Sequence, residues 1–373
     1  MSLSEGNRQL RTEEMILNVG PQHPSTHGVF RLVVRLDGET VVEAEPVIGY
    51  LHRGTEKLAE NLQYTQIIPY TDRLDYVAAM LNNYALCHAV EEAMDMEIPE
   101  RAEYLRVILM EMQRIASHFL AVGAYLLDLG AMSPFLYIFV GRERITELLN
   151  EISGARLTFN FMRIGGLRFD APDGWLKKVR DLIPQLKADM KLLDDLVTGN
   201  EIFINRTKGL GTYTAEQALA FGMSGINLRS TGFNWDLRKT KPYSIYDRFD
   251  FEIPLGENGD CFDRYKLHIE EMKQSIRILE QAVENVPEGP FLGKVPKFVR
   301  VPAGEYYSGI EAAKGELGFY IVSDGKDKPY RLKIRKPSFL NLQMLPDLLK
   351  GQNMANVIAI LGAIDIVLGE VDA

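Results

Sequence analysis

The run FLAVGAYLLDLGAMSPFLYIFVG, Phe119 to Gly141, decides which kind of fold this chain can have. Its only charge is Asp128, and a span of about 20 apolar residues is what a bilayer-crossing helix needs. Asp128, Gly123, Gly130 and Pro134 interrupt it, however, and LGAMSP (129–134) reads as a helix end followed by a turn. The run therefore predicts two buried core helices joined by a short turn, in a soluble chain.

Outward from there the middle of the chain is helical. Between Ala102 and Leu127, residues Leu105, Ile108, Met112, Ile115 and Phe119 fall on one helix face, and Asp75 to Met94 has similar spacing. Val179, Ile183, Leu186, Met190, Leu193 and Val197 repeat at steps of four and three, as do Tyr265, Ile269, Met272, Ile276, Leu279 and Val283. Both segments predict long bundle helices, the first with a kink at Pro184. Such stripes are core packing and are assigned no function.

The two ends are mixed. Met15 to Val19 reads as a strand; Leu32, Val34 and Leu36 alternate along a second, and Asp37-Gly38 predicts a hairpin turn before Val41 and Val42. Near the other end, GELGFYIVSDG (315–325) and YRLKIRKPS (330–338) predict a hairpin across Asp327 and Lys328. A helix near Leu342 to Lys350 and an apolar C-terminal run, VIAILGAIDIVLGEVDA, follow; a tail so apolar belongs in the core or an interface. The fold class is α+β, mainly α. Residues 1–12 form a flexible tail and 13–373 a single domain: a β-rich front (13–55), a helical core (56–290) and a mixed C-terminal part (291–373).

Composition narrows the function. A chain of 373 residues with 46% hydrophobic and 25% charged residues buries a sizeable core and is not disordered. A net charge of −9 with no Lys/Arg block excludes nucleic acid or anionic lipid held by electrostatics. Cys87 and Cys261, the only cysteines, cannot make a four-thiolate cluster or zinc site, so no metal is expected on this chain, and they point to a reducing compartment. The N-terminal MSLSEGNRQLRTEE lacks a signal peptide's apolar core, which predicts a cytosolic chain. No nucleophile elbow, zinc-protease, Walker or dinucleotide motif is present, and GLGTY and GLGFY lack the context of phosphate loops.

Three places could carry chemistry. The loop GPQHPSTHG (20–28) is stiffened by two prolines and two glycines. Its His23 and His27 are four apart, but off a helix and without acids nearby they make a poor metal pair. The loop alone leaves two readings open: histidines that bond the loop backbone, or a rigid loop that presents an imidazole to a ligand. Asp128 favours the second, because a carboxylate in an apolar helix needs a partner, and a histidine so paired becomes a proton donor poised near neutrality. Capping of the next turn, or a pair with Arg142, also satisfies Asp128. In TDRLDY (71–76), Thr71 or Asp72 reads as a helix cap with Tyr76 packed behind it.

LNVGPQHPSTHGVFRL (17–32), EPVIGYLHRGTEK (45–57), PYTDRLDY (69–76), RIASH (114–118), LLDLGAMSPF (126–135), RIGG (163–166), NWDLRK (234–239), GELGFYIVSDG and PSFLNLQ (337–343) together resemble the D-subunit family of bacterial respiratory complex I, the proton-pumping NADH–quinone oxidoreductase. The likeness covers nearly the whole chain and is strongest to Bacillus-type members. It implies a peripheral subunit on the cytoplasmic side of the cell membrane, partnered by the B, C and I subunits and the membrane-embedded H subunit. NAD would be used on other subunits, and the adjacent B subunit would hold the terminal [4Fe-4S] cluster. This chain would wall the quinone pocket. His27 and Tyr76 would bond the two carbonyls of the quinone head group, Asp128 would pair with His27, and Arg53 would lie close to the cluster. A ferredoxin-linked membrane complex in which this chain is a scaffold is the other reading.

The fold also resembles [NiFe]-hydrogenase large subunits, whose metal needs two CxxC pairs. The matching positions here are Asp75 and Ala78, then Val367 and Glu370, so hydrogenase chemistry is not expected and Val367 would line the vacated cavity. Many members of the D-subunit family carry a histidine shortly before RIGG; RLTFNFMRIGG has Thr158 and Phe159 instead. That departure implies a lower cluster potential, which suits menaquinone.

Overall fold

The computed structural model describes residues 14–22 and 28–373. His23, His27 and the N-terminal tail therefore lie outside the described residues. Strands β1 (Glu14–Val19), β2 (Arg31–Asp37) and β3 (Thr40–Val47) form an antiparallel sheet in that order. Leu32, Val34 and Leu36 face the core from β2, as their alternation requires. Asp37 pairs with Thr40, so the turn is Gly38-Glu39, one residue later than the sequence suggested; Gly38 takes the positive φ of 61°.

Helices α1 (Thr55–Ala59) and α2 (Tyr64–Thr71) follow, and α3 (Ala79–Ala93) starts four residues after Asp75. The expected cap is absent. Thr71 closes α2 by donating to the Ile68 carbonyl (2.8 Å), and the Asp75 carboxylate accepts from the Val77 N–H (3.0 Å), which holds 72–78 in turns. Local side-chain bonds of this kind compete with helix formation. The decisive run splits at a turn, as predicted, into α4 (Glu100–Asp128) and α5 (Met132–Ser153), with Gly130 at φ 90° between them, but only α4 is the buried core helix expected: Met132, Leu136, Tyr137 and Val140 at the start of α5 are exposed. Among the described residues no helix is long and apolar enough to cross a membrane.

The RIGG segment is a small hairpin, β4 (Met162–Arg163) and β5 (Gly166–Leu167). Helix α6 (Trp175–Leu193) contains Pro184, runs into a π turn at Asp194–Thr198, and buries the whole stripe read from sequence. Short helices α7 (Glu201–Thr207), α8 (Ala215–Ala220), α9 (Gly225–Arg229) and α10 (Leu237–Thr240) lead to α11 (Cys261–Glu284). Strands β6 (Gly304–Ala312), β7 (Gly315–Ser323) and β8 (Arg331–Arg335) form a second antiparallel sheet. The β7–β8 hairpin was legible, whereas β6 was not. GEYYSGIEA is exposed at its start and buried on both faces at its end, so it has no clean alternation. The single helix expected near 342–350 is two, α12 (Pro337–Leu342) and α13 (Leu345–Leu349), and the chain ends in α14 (Met354–Ala363) and α15 (Leu368–Val371).

Helix α4 is the axis, packed by α3, α5, α11 and α14. From Leu105 to Phe119 it is buried on every face, yet Arg106, Glu111, Arg114 and His118 lie within that stretch. Arg106 is met by Glu91 (2.6 Å), and the charges of Glu111 and Arg114 by a lattice that crosses the core. Arg114 Nε lies 3.2 Å from Glu111 on α4; Arg238 of α10 reaches both Asp236 (2.7 Å) and Glu271 of α11 (3.0 Å). Arg229 of α9 links Glu271 (2.8 Å) to Glu311 of β6 (2.6 Å). Tyr246 and Ser275 each donate a hydroxyl to Glu111, both at 2.6 Å. Arg229→Met strips two buried carboxylates of their shared cation; the expected cost is about 3–5 kcal/mol, read as a sharp fall in thermal midpoint.

Candidate functional site

Tyr76 and Val367, far apart in sequence, line one cavity of about 180 Å³. Its floor is α4, where Ser117, Ala121 and Ala124 are small enough to leave room, and Lys314, Asp365 and Ile366 close its sides. Tyr76 is half-buried, and burial pushes its hydroxyl above the usual tyrosine range, with the Asp75 carboxylate adding to the effect. It is therefore a phenol that donates a hydrogen bond and holds its proton until a stronger base appears.

Asp128 continues the same stripe of α4, since 117, 121, 124 and 128 follow helical spacing. It is half-buried rather than enclosed, at the last residue of the helix, close to Gly362. A side chain at Gly362 would meet the Tyr125 ring at 2.8 Å, so glycine there lets α14 close on this end of α4. His27, the expected partner, lies outside the described residues. The next residue, Gly28, packs on Leu368: a Cβ there would come within 3.3 Å of its side chain, beside Val367. Arg53 is exposed, donates to the Arg73 carbonyl at 2.6 Å, and is not part of the cavity wall.

The sequence reading missed the charged wall. Lys314 stands on the β6–β7 turn, fully buried, 3.2 Å from Asp365 and 3.7 Å from Asp75. Gly225 and Gly315 put it there: a Cβ on Gly225 would fall 2.6 Å from the Gly315 Cα, so the two backbones touch only as glycines. Burial opposes the Lys314 charge, but Asp365 and Asp75 outweigh it and hold the ammonium above its ordinary range. Burial would also raise Asp365, and Lys314 beside it reverses the sign. Asp75 keeps a raised carboxyl, mainly through burial. Glu370, buried and accepting the Ser338 N–H (2.9 Å), is pushed up to about 7 by burial and by Asp75. The signal was available, since Asp365 and Glu370 are acids in an apolar run, the same argument that singled out Asp128.

Behind Asp365 lie His268 of α11 and His118 of α4, with one nitrogen or carboxylate oxygen from each of the three within 4.8 Å of the others. A larger acidic groove of about 430 Å³, lined by Glu91, Glu92, Asp95 and Glu103, shares no residue with the Tyr76 cavity and suits a neutral ring poorly. Cys87 and Cys261 are buried on α3 and α11 and unpaired. At the positions before RIGG, Phe159 is core and Thr158 half-buried, and neither side chain titrates in the working pH range.

Known proteins bear on this arrangement. The family model for the 49-kDa subunit of respiratory-chain NADH dehydrogenase matches residues 128–300 and 294–373. The D subunit of NADH-quinone oxidoreductase from Geobacillus kaustophilus is 66% identical over 97% of this chain and 99% of its own length. The corresponding D subunits from Geobacillus thermodenitrificans (66%) and Bacillus anthracis (64%) align over 97% of this chain and all of theirs. Fold and relatives thus define a component of an oxidoreductase. The chain belongs to the D-subunit family of NADH–quinone oxidoreductase, respiratory complex I, and its partners are other subunits of that complex.

The raised carboxyl of Glu370 has a stability consequence. Its folded pKa of about 7 exceeds the ordinary 4.5, so the protonated form stabilises the fold fully below pH 4.5, and that contribution is lost as pH rises through 7. Glu370→Gln keeps an acceptor for Ser338 without the charge. Its thermal midpoint is expected to match wild type near pH 4.5 and to exceed it at pH 8.

Proposed function

We propose that this chain forms the quinone head-group site of its complex, beside a terminal [4Fe-4S] cluster held by the adjacent B subunit, and couples quinone reduction to proton translocation. The observation that carries this reading is the shared cavity: a phenol (Tyr76) and an apolar wall (Val367) with Asp128 further along the floor helix. About 180 Å³ suits one ring and is too small for a nucleotide, since drug-sized ligands need roughly 300 Å³ or more. The two buried thiols supply no cluster, consistent with electrons that arrive from a partner. The relatives' names support NADH over ferredoxin as the ultimate donor.

Reduction of a quinone to a quinol takes two electrons and two protons. Tyr76 donates a hydrogen bond to one carbonyl and, once that oxygen carries charge, its proton. His27 does the same at the other carbonyl, paired with Asp128. Loss of the His27 proton leaves Asp128 without its counter-charge, and that change starts the coupling to pumping. Arg53 sits on the face turned to the B subunit, where its fixed charge tunes the cluster. With Thr158 and Phe159 in place of a titratable group, the cluster potential is low and nearly independent of pH, which fits menaquinone. The chain sits peripherally on the cytoplasmic side of the membrane, against the B, C and I subunits and the membrane-embedded H subunit.

In membranes carrying the assembled complex, Tyr76→Phe is expected to lower NADH-driven quinone reduction about 100-fold, the scale of one acid catalyst, while NADH–ferricyanide activity is unchanged. Wild-type quinone reduction in Tyr76→Phe would refute the site. Asp128→Asn is expected to reduce quinone reduction and pumping together; full rates of both would sink the coupling step.

A further inference from the structure

We propose that His268 and Asp365 hold a dissociable proton at the wall of the Tyr76 cavity, a reserve that reprotonates the site after quinone reduction; this rests on the reading above. The argument begins with hydrogen-bond polarity. His268 Nδ1 lies 2.7 Å from the Arg264 carbonyl oxygen, and a carbonyl only accepts, so Nδ1 carries a hydrogen. In a neutral ring Nε2 would then be a bare lone pair. Nε2 lies 3.3 Å from Asp365 Oδ2, itself an acceptor when ionised. Two acceptors face each other only at a cost, so a proton lies between them. Lys314, 3.2 Å from the same oxygen, favours the ionised carboxylate, which puts the proton on the imidazole.

The surroundings are arranged to keep one proton there. Asp365 has a left-handed backbone (φ 53°), which an aspartate tolerates better than most residues other than glycine. Asp365 and Lys314 also line the cavity with Tyr76, so Asp365 connects the pair to the site it would serve, with His268 one layer behind the wall. His118 meets the His268 ring edge-on, 5.0 Å between centroids, and neither of its nitrogens has a hydrogen-bond partner. Burial pushes His118 down to about 4, so it is neutral and does not add a second charge. Beyond it Glu271, 3.6 Å from His118 Nε2, is neutralised by Arg229, Arg238 and Arg114. Lys314 is balanced on its far side by Asp75, and Glu370 lies close to both. Tyr125 and Tyr265 complete the enclosure around His268. A metal is disfavoured: the Lys314 ammonium already sits 3.2 Å from the Asp365 oxygen that a cation would need.

The step moves one proton and no electrons. After Tyr76 has given its proton to the reduced quinone, tyrosinate and imidazolium become tyrosine and neutral imidazole. One N–H bond breaks at His268 and one O–H bond forms at Tyr76. Bulk water then recharges His268 outside the catalytic step.

Asp365→Asn is the discriminating variant. Its amide N–H donates to the Nε2 lone pair of a neutral His268, so the contact survives and the stored proton does not. In assembled membranes we expect kcat for quinone reduction to fall at least fivefold at pH 8 and little at pH 6, with quinone KM within twofold and ferricyanide activity unchanged. Asp365→Glu should restore the flat wild-type profile in part. A wild-type kcat and pH profile in Asp365→Asn overturns the reserve, as does a change confined to KM. Should that variant fail to assemble, the wild-type complex decides: a pH dye should show one of the two protons taken up from bulk later than quinol appears, and uptake of both in step with quinol refutes the proposal. Loss of activity in Tyr76→Phe beside a silent Asp365→Asn removes the reserve alone; a silent Tyr76→Phe removes the site reading.

Discussion

The fold depends on how α4 can be buried while carrying charge. Glu111 and Arg114 sit on a helix surrounded by protein, and each would cost several kcal/mol if left alone in the core. The lattice of Arg114, Arg229 and Arg238 with Glu111, Asp236, Glu271 and Glu311 resolves this by making each guanidinium serve more than one carboxylate. Planar guanidinium groups suit that work because their donors diverge in fixed directions. The lattice draws on α4, α9, α10, α11 and β6, so its geometry specifies how those elements meet where apolar contacts alone would tolerate sliding.

That constraint reaches the site. Arg114 donates to the carbonyls of Glu311 (2.7 Å) and Ala312 (3.0 Å), the last residues of β6, and Arg229 holds the Glu311 side chain. The next turn carries Lys314. A flexible lysine on a tight turn is thus anchored from behind by two arginines and from beside by Gly225. The C-terminal wall is fixed independently. Asp372 accepts the N–H groups of Gly49 (2.7 Å) and Leu51 (2.8 Å), and Lys336 binds the carbonyls of Val371 and Ala373, both at 3.1 Å. These bonds tie the Val367 segment to the loop that bears Arg53.

Much of this was legible in the sequence, for a simple reason. The long helices repeat at 3.6 residues and bury one stripe, and Gly130 marks the break in the decisive run, so α4, α5, α6 and α11 could be read directly. The failures occurred where side chains bond their own backbone or where burial is two-sided: the start of α3 is set by the Asp75 carboxylate, and β6 lacks alternation. At the site, Tyr76 and Val367 came from resemblance and do share a cavity. Asp365 carried a signal as an acid in an apolar run, whereas Lys314 and His268 were invisible because their meaning lies in contact between residues distant in sequence. His268 looks like an ordinary member of a helix stripe until the Arg264 carbonyl fixes which nitrogen carries hydrogen.

The charges at the cavity wall are close to balance, and that is the property the proposed quinone site would need from its surroundings. Asp75 and Asp365 face Lys314, and the proton proposed for the His268–Asp365 contact would be the second positive charge, while Glu370, pushed up to about 7, is part neutral near physiological pH. Negative charge arriving on a ring in the cavity would meet Lys314 first, since it is the cation on the wall. A buried group whose charge depends on its neighbour's charge converts an electrostatic event into proton movement without large motion of the backbone. The fixed lattice behind it makes this workable, because the arginines that position the turn keep their partners while the lysine's balance changes.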